Sequence, residues 1–135
     1  MIDSFKGEYE FLSNFYPATV SYEGEVYPSV EHAFQAAKTL NPQMRLKIRL
    51  SNASGAKKLG RQLDLRADWE TVKVDVMREL LKAKFSDPEL RAKLKATGEE
   101  PLVEGNWWGD TFWGVCRGQG DNHLGVLLME IRDSL

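Results

Sequence analysis

Cysteine is nearly missing from this chain: Cys116 is the only one in 135 residues. A single thiol excludes an internal disulfide and any zinc site built from several cysteines. Histidine is almost as scarce. His32 and His123 stand alone, with no H-x-x-x-H spacing, so the supply of metal ligands is poor and neither a metal nor a cofactor is expected. Long apolar runs are lacking too. Nothing approaches the roughly 20 residues of a membrane-spanning helix, and Met1-Ile2-Asp3-Ser4-Phe5-Lys6 lacks the apolar stretch of a signal peptide. The expectation is a reducing compartment, most simply the cytoplasm, with no membrane partner. Charge of one sign is also absent. Eighteen Lys and Arg face twenty Asp and Glu, for a net charge of -2. Nothing global therefore draws the chain to nucleic acid or an anionic surface, and a phosphate-bearing ligand needs a local cluster of cations.

What is present suffices for an ordinary core. Hydrophobic residues make up 42% and charged residues 28%, a balance that disordered chains do not have. The length suits a single domain spanning residues 1–135. The residues carry no signal of oligomeric state.

The pattern along the chain is mainly helical. Val20-Ser21-Tyr22 and Val26-Tyr27 bracket Glu23-Gly24-Glu25, which reads as a short β-hairpin. Pro28-Ser29 opens a helix with Val30, Phe34, Ala37 and Leu40 on one stripe, and Asn41-Pro42 ends it. Further helices are expected near Met44 to Leu50, from Gly55 to Leu59 with Ser54 as N-cap, from Trp69 to Phe85 behind Asp68, after Asp87-Pro88, and from Asn122 to Asp133. Leu102-Val103-Glu104 reads as a short strand. The segment that follows differs in kind: it holds three of the four tryptophans, and six of the eleven glycines lie between Gly105 and Gly125.

Four constellations can carry chemistry. Glu31, Gln35 and Lys38 fall at i, i+4 and i+7, on one face of the Pro28–Leu40 helix. Spacing alone reads as an ordinary solvated face, because Glu and Lys on helices are mostly exposed. Phe11-Leu12-Ser13-Asn14-Phe15 alternates aromatic and polar groups. It suits either a ring-stacking edge or a half-buried strand ending in a turn. In Trp107-Trp108-Gly109-Asp110-Thr111-Phe112-Trp113-Gly114, aromatic walls flank a carboxylate. That is a ligand loop on one reading and a packed corner with Asp110 as its turn residue on the other. Ser54 to Arg61 joins a helix N-terminus to Lys57, Lys58 and Arg61. A helix N-terminus can hold a phosphate, but the glycines match no nucleotide fingerprint, and the segment alone favours a plain charged helix.

Taken in order, these pieces resemble the NADAR family, also called YbiA-like, which includes riboflavin-intermediate N-glycosidases. The matching segments are Glu10-Phe11-Leu12-Ser13-Asn14-Phe15, Tyr27-Pro28-Ser29-Val30-Glu31-His32-Ala33-Phe34-Gln35-Ala36-Ala37-Lys38, Ala56-Lys57-Lys58-Leu59-Gly60-Arg61, Lys84-Phe85, Thr97-Gly98, Leu102-Val103-Glu104, Asp110-Thr111-Phe112-Trp113-Gly114 and Gly120-Asp121-Asn122-His123-Leu124-Gly125, ending in Leu128-Met129-Glu130-Ile131-Arg132. The resemblance covers nearly the whole chain. It implies an α+β fold, a mainly helical single domain with a small antiparallel β element. It also implies metal-independent hydrolysis of an N-glycosidic bond to a phosphorylated ribose. The implied substrates are phosphoribosylated riboflavin precursors and ADP-ribose conjugates, including ADP-ribosylated guanine carried in nucleic acid. The family's E-H-x-x-Q-x-x-K helix puts its glutamate on Glu31, and its D-x-x-W-G motif falls on Asp110, Trp113 and Gly114. Glu31 and Asp110 are then the expected catalytic pair. Ser13, Asn14, Phe15, Gln35, Lys38, Lys57, Arg61, Trp113 and Gly114 are the expected substrate contacts. Two other classes remain open: a non-catalytic ADP-ribose or NAD binding module, and a partner-binding domain with its tryptophans packed as core.

Overall fold

A computed structural model describes all of residues 1–135. It resolves into two compact units, Asn14–Lys84 and a second made from both chain ends, Met1–Ser13 with Phe85–Leu135.

The Asn14–Lys84 unit is built around one helix. The expected hairpin is there: β1 (Val20–Tyr22) pairs antiparallel with β2 (Glu25–Tyr27), Val20 opposite Tyr27 and Tyr22 opposite Glu25. Glu23 and Gly24 turn it with positive φ. Helix α1 (Val30–Ala37) starts where Ser29 Oγ accepts the His32 amide, at 3.2 Å, while the Glu31 amide donates to the Asn14 carbonyl, at 3.0 Å. Two of the amides left open at a helix start are thus satisfied. The helix stops three residues earlier than Leu40: the Lys38 and Thr39 amides bond three residues back, to the Gln35 and Ala36 carbonyls at 3.2 Å, and the Lys38 carbonyl takes the Arg66 amide at 2.8 Å. Helix α2 (Pro42–Leu50) follows, with Asn41 Oδ1 accepting from Gln43 and Met44 and proline in the first turn. Helix α3 (Ala53–Gly60) is capped by Asn52, whose Oδ1 accepts the Gly55 amide at 2.7 Å; Ser54 lies inside the helix. Helix α4 (Trp69–Lys84) completes the unit. Asp68 precedes it, but both Asp68 carboxylate oxygens take the Arg66 guanidinium. All eight α1 residues are buried, packed among α2, α3, α4 and β1. The Phe34 and Trp69 rings meet at 5.1 Å.

In the second unit a 3-10 helix (Gly7–Leu12) occupies the segment that admitted a strand, and it buries Phe11 and Leu12. Helix α5 (Pro88–Ala96) is capped by Asp87, and α6 (His123–Asp133) buries Leu124, Leu127, Leu128 and Ile131, as their spacing predicts. The Leu102–Glu104 strand reduces to a single parallel bridge between Ile2 and Leu102. The strand pairing forms just beyond it, where β3 (Gly105–Asn106) runs parallel to β4 (Val115–Cys116). Asn122 explains the shift. Held at φ 55°, its side chain accepts from the Glu104 amide and donates to the Leu102 carbonyl, both at 2.9 Å, taking the ladder positions a partner strand needs. The expected α+β class with its small antiparallel element is the observed one, with one parallel pair added. No helix is long and apolar enough to cross a membrane.

Candidate active site

The spacing that suggested a solvated face on α1 misleads. Glu31 is 6% exposed and Gln35 5%. Acids and amides at that depth are rare unless something pairs with them. Gln35 Nε2 donates to Glu31 Oε1 at 2.8 Å, while Gln35 Oε1 is buried with no hydrogen-bond partner. Burial pushes the Glu31 carboxyl above the ordinary carboxylate range; the Gln35 hydrogen bond and then the charges of Lys57 and Lys38 pull it back only in part. Lys38, the C-cap of α1, is shifted the other way. Burial pushes its ammonium down, Glu31 opposes this, and Arg61, Lys57 and Lys73 reinforce it. One buried acid thus stands among several cations.

Asn14, Phe15, Lys57 and Arg61 share the unit of this acid, and Ser13 belongs to the other. The Asn14 carbonyl holds the Glu31 amide, and Asn14 Oδ1 is a second buried acceptor with no partner. Phe15 is 39% exposed, with the Lys57 ammonium 5.7 Å from its ring centroid. Lys57 sits in the last turn of α3 and Arg61 caps that helix. The cations therefore lie at the C-terminal end of α3, where they complement the helix dipole. The expected phosphate-binding N-terminus beside them is not what the fold builds, because capping begins at Asn52. Ser13 ends the 3-10 helix, its amide bonded to the Glu10 carbonyl.

His32 serves structure. The Ser51 carbonyl, 2.7 Å from Nε2, can only accept, so Nε2 carries a hydrogen; Nδ1 is hydrogen-bonded to Ser29 Oγ, also at 2.7 Å. The ring ties α1 to the α2–α3 link. Two lysines outside the expected site residues also stand out. Lys73 on α4 bears electrostatically on Lys38. Lys84, 1% exposed with its ammonium 5.7 Å from the Tyr16 centroid, is pushed down to about 7 by burial. Lys73 lies in none of the matching segments, and Lys84 lies in the Lys84-Phe85 segment without a role attached to it.

The tryptophan loop is made differently. Asp110 Oδ1 accepts the amides of Phe112 (3.2 Å) and Trp113 (2.9 Å), and Asn106 exchanges hydrogen bonds with the Asp110 backbone. Trp113 stacks edge-on to Phe112 at 4.8 Å. Gly114 is needed for close packing: a Cβ there would lie 2.2 Å from the Glu104 carbonyl oxygen. Trp107 and Trp108 are 77% and 44% exposed, which contradicts a domain that packs its tryptophans as core. Trp107 rims a concavity of 440 Å³ with Met1, Asp3, Val103 and Val115; Asp110, Trp113 and Gly114 do not line it. No group of three or more His, Cys, Asp or Glu side chains is placed to hold a metal ion.

A family model described as the NADAR domain matches residues 3–135. The chain belongs to the NADAR family. This NADAR chain is 43% identical to N-glycosidase YbiA of Escherichia coli K12 over 133 residues, 95% of this chain and 82% of that one. It is 38% identical over 130 residues to a riboflavin biosynthesis protein of Vibrio vulnificus, covering 93% of this chain and 35% of the relative. The NMR structure of E. coli YbiA superposes with a TM-score of 0.86 at 40% identity, over 99% of this chain and 84% of that one. The NADAR domain thus comes here among relatives named as N-glycosidases, hydrolases of N-glycosyl compounds.

Proposed function

We propose that the chain is an N-glycosidase that hydrolyses the bond between C1′ of a phosphorylated ribose and its nitrogen leaving group. In the balanced reaction the C1′–N bond breaks, water gives its hydroxyl to C1′, and a proton ends on the departing nitrogen. The transition state carries positive charge on the sugar. The observation that carries the reading is the buried Glu31 carboxyl set among Gln35, Lys38 and Lys57. Such an acid, holding its proton to unusually high pH, can deliver a proton to nitrogen or, ionised, steady the sugar cation and polarise water. In this reading Lys38, Lys57 and Arg61 take the phosphate. The free acceptors of Asn14 and Gln35, with Ser13, suit ribose hydroxyls. Asp110 holds a ribose hydroxyl or acts as the second acid–base group, and Phe15, Trp113 and Gly114 wall in the rings.

Two substrate groups fit: a phosphoribosylated riboflavin precursor and an ADP-ribose conjugate such as ADP-ribosylated guanine. The riboflavin-named relative makes the precursor the first to try. A cytoplasmic setting suits the free, buried Cys116. The test is chromatography and mass spectrometry of products after mixing the protein with members of both groups. Multiple turnovers yielding free amine or base plus sugar phosphate support the reading. Tight binding with no released product would mean that the chain is an ADP-ribose or NAD binding module instead.

A further inference from the structure

Gly60 is buried in the last turn of α3 with ordinary helical φ, so nothing in its backbone conformation calls for glycine. Glycine is also a poor helix former. Its use here is steric. A Cβ at position 60 would lie 1.8 Å from Gln35 Oε1 and 2.7 Å from Gln35 Cδ, whereas the distance to Gln35 Cβ would be 3.3 Å. The Gln35 amide therefore occupies the space a side chain would fill. From that seat it presents Nε2 to Glu31 Oε1 at 2.8 Å. Its Oε1, pressed against the glycine, is the atom left buried without a partner.

We infer that Gly60 is a positioning residue for Glu31, acting through Gln35: the missing side chain on α3 seats the amide that orients the carboxylate on α1. The inference rests on the proposed role of Glu31 only for its kinetic consequence; the geometric claim stands apart from it. A methyl group at position 60 displaces the amide and removes the hydrogen bond. The Gln35 bond is the largest of the influences opposing the upward shift of Glu31, so its loss moves the Glu31 midpoint further up.

The experiment compares wild type, Gly60→Ala, Gln35→Ala and the double variant. It reads the Glu31 titration by NMR of ¹³C-carboxyl-labelled glutamate, assigned by the signal missing in Glu31→Gln, alongside kcat and KM. Gly60→Ala should raise the Glu31 midpoint and lower kcat/KM about tenfold, the scale of one charged hydrogen bond. Adding it to Gln35→Ala should change neither. The inference is overturned if Gly60→Ala leaves the midpoint in place, or costs as much in the Gln35→Ala background as in wild type. If Gly60→Ala alone does not fold, a folded double variant supports the inference, since only the Gln35 amide was in the way. A double variant that also fails to fold overturns it. If Glu31→Gln is fully active while the titration coupling holds, it is the catalytic reading that fails.

Discussion

Helix α1 and the loop from Asn106 to Gly114 both set polar residues at short, regular spacings, yet they use them in opposite ways. In the loop, polar groups serve the loop's own backbone. Asp110 binds two amides ahead of it, Asn106 binds the Asp110 backbone, and Gly114 admits Glu104. On α1, Gln35 Oε1 is buried with no partner beside the buried Glu31 carboxyl, and burial also pushes the nearby Lys38 ammonium down. A satisfied polar group is explained by the fold it supports. A buried group left partly unsatisfied has an energetic cost that the fold does not explain, and it points to a ligand.

Substitutions can break that contrast. Lys38→Met should lower kcat/KM about a hundredfold, the scale of losing hydrogen bonds from a cation to a phosphate. Steady-state kinetics on the phosphoribosylated precursor checks this, and an unaffected rate would return Lys38 to a surface role. Asp110 sharpens the comparison from the loop's side. Asp110→Asn keeps Oδ1, so the melting temperature should hold while activity falls about tenfold, a modest acid–base contribution. Asp110→Ala should lose in addition about 1–2 kcal/mol in denaturant unfolding, because two amides lose their acceptor.

A subtler effect concerns pH. The folded state holds the Glu31 proton to higher pH than the unfolded chain does. Ionising the buried acid therefore costs native stability, starting as pH rises through the unfolded carboxylate range and reaching full size above the folded value. Glu31→Gln removes that cost. It should melt higher than wild type near about pH 8 and equally near about pH 4, where the acid is protonated in both states. The smallest effect is expected for Trp107→Ala. With the ring 77% exposed, stability should change by no more than about 0.5 kcal/mol in chemical denaturation.

Local rules made much of this legible. The hairpin around Gly24, the proline-led start of α5 and the apolar face of α6 depend on neighbours in sequence and fall where patterning puts them, whereas Asn41-Pro42, read as a helix end, also caps and opens α2, two residues before Met44. The Asp110 turn is equally local, reaching only two and three residues ahead. The misreadings arose where distant residues decide. Asn52 and Ser54 are both competent caps, and it is Asn52 that takes the Gly55 amide while Ser54 lies inside α3. Leu102–Glu104 alternates like a strand, but the Asn122 side chain takes its ladder positions. Above all, the depth of Glu31 depends on α3 lying close to α1, through Ala56 and Gly60, which no periodicity within α1 reveals. The family motif identified the acid; only the fold shows why its chemistry is unusual.

The central claim is that the Glu31 carboxylate breaks the N-glycosidic bond. Its most direct test is the turnover of Glu31→Gln against wild type on the phosphoribosylated riboflavin precursor, with the variant's fold verified by its NMR spectrum. A fall in kcat of about 10²–10⁴-fold, the range for losing an acid–base group, is the predicted result. Release of the amine by the folded variant at the wild-type rate would contradict it.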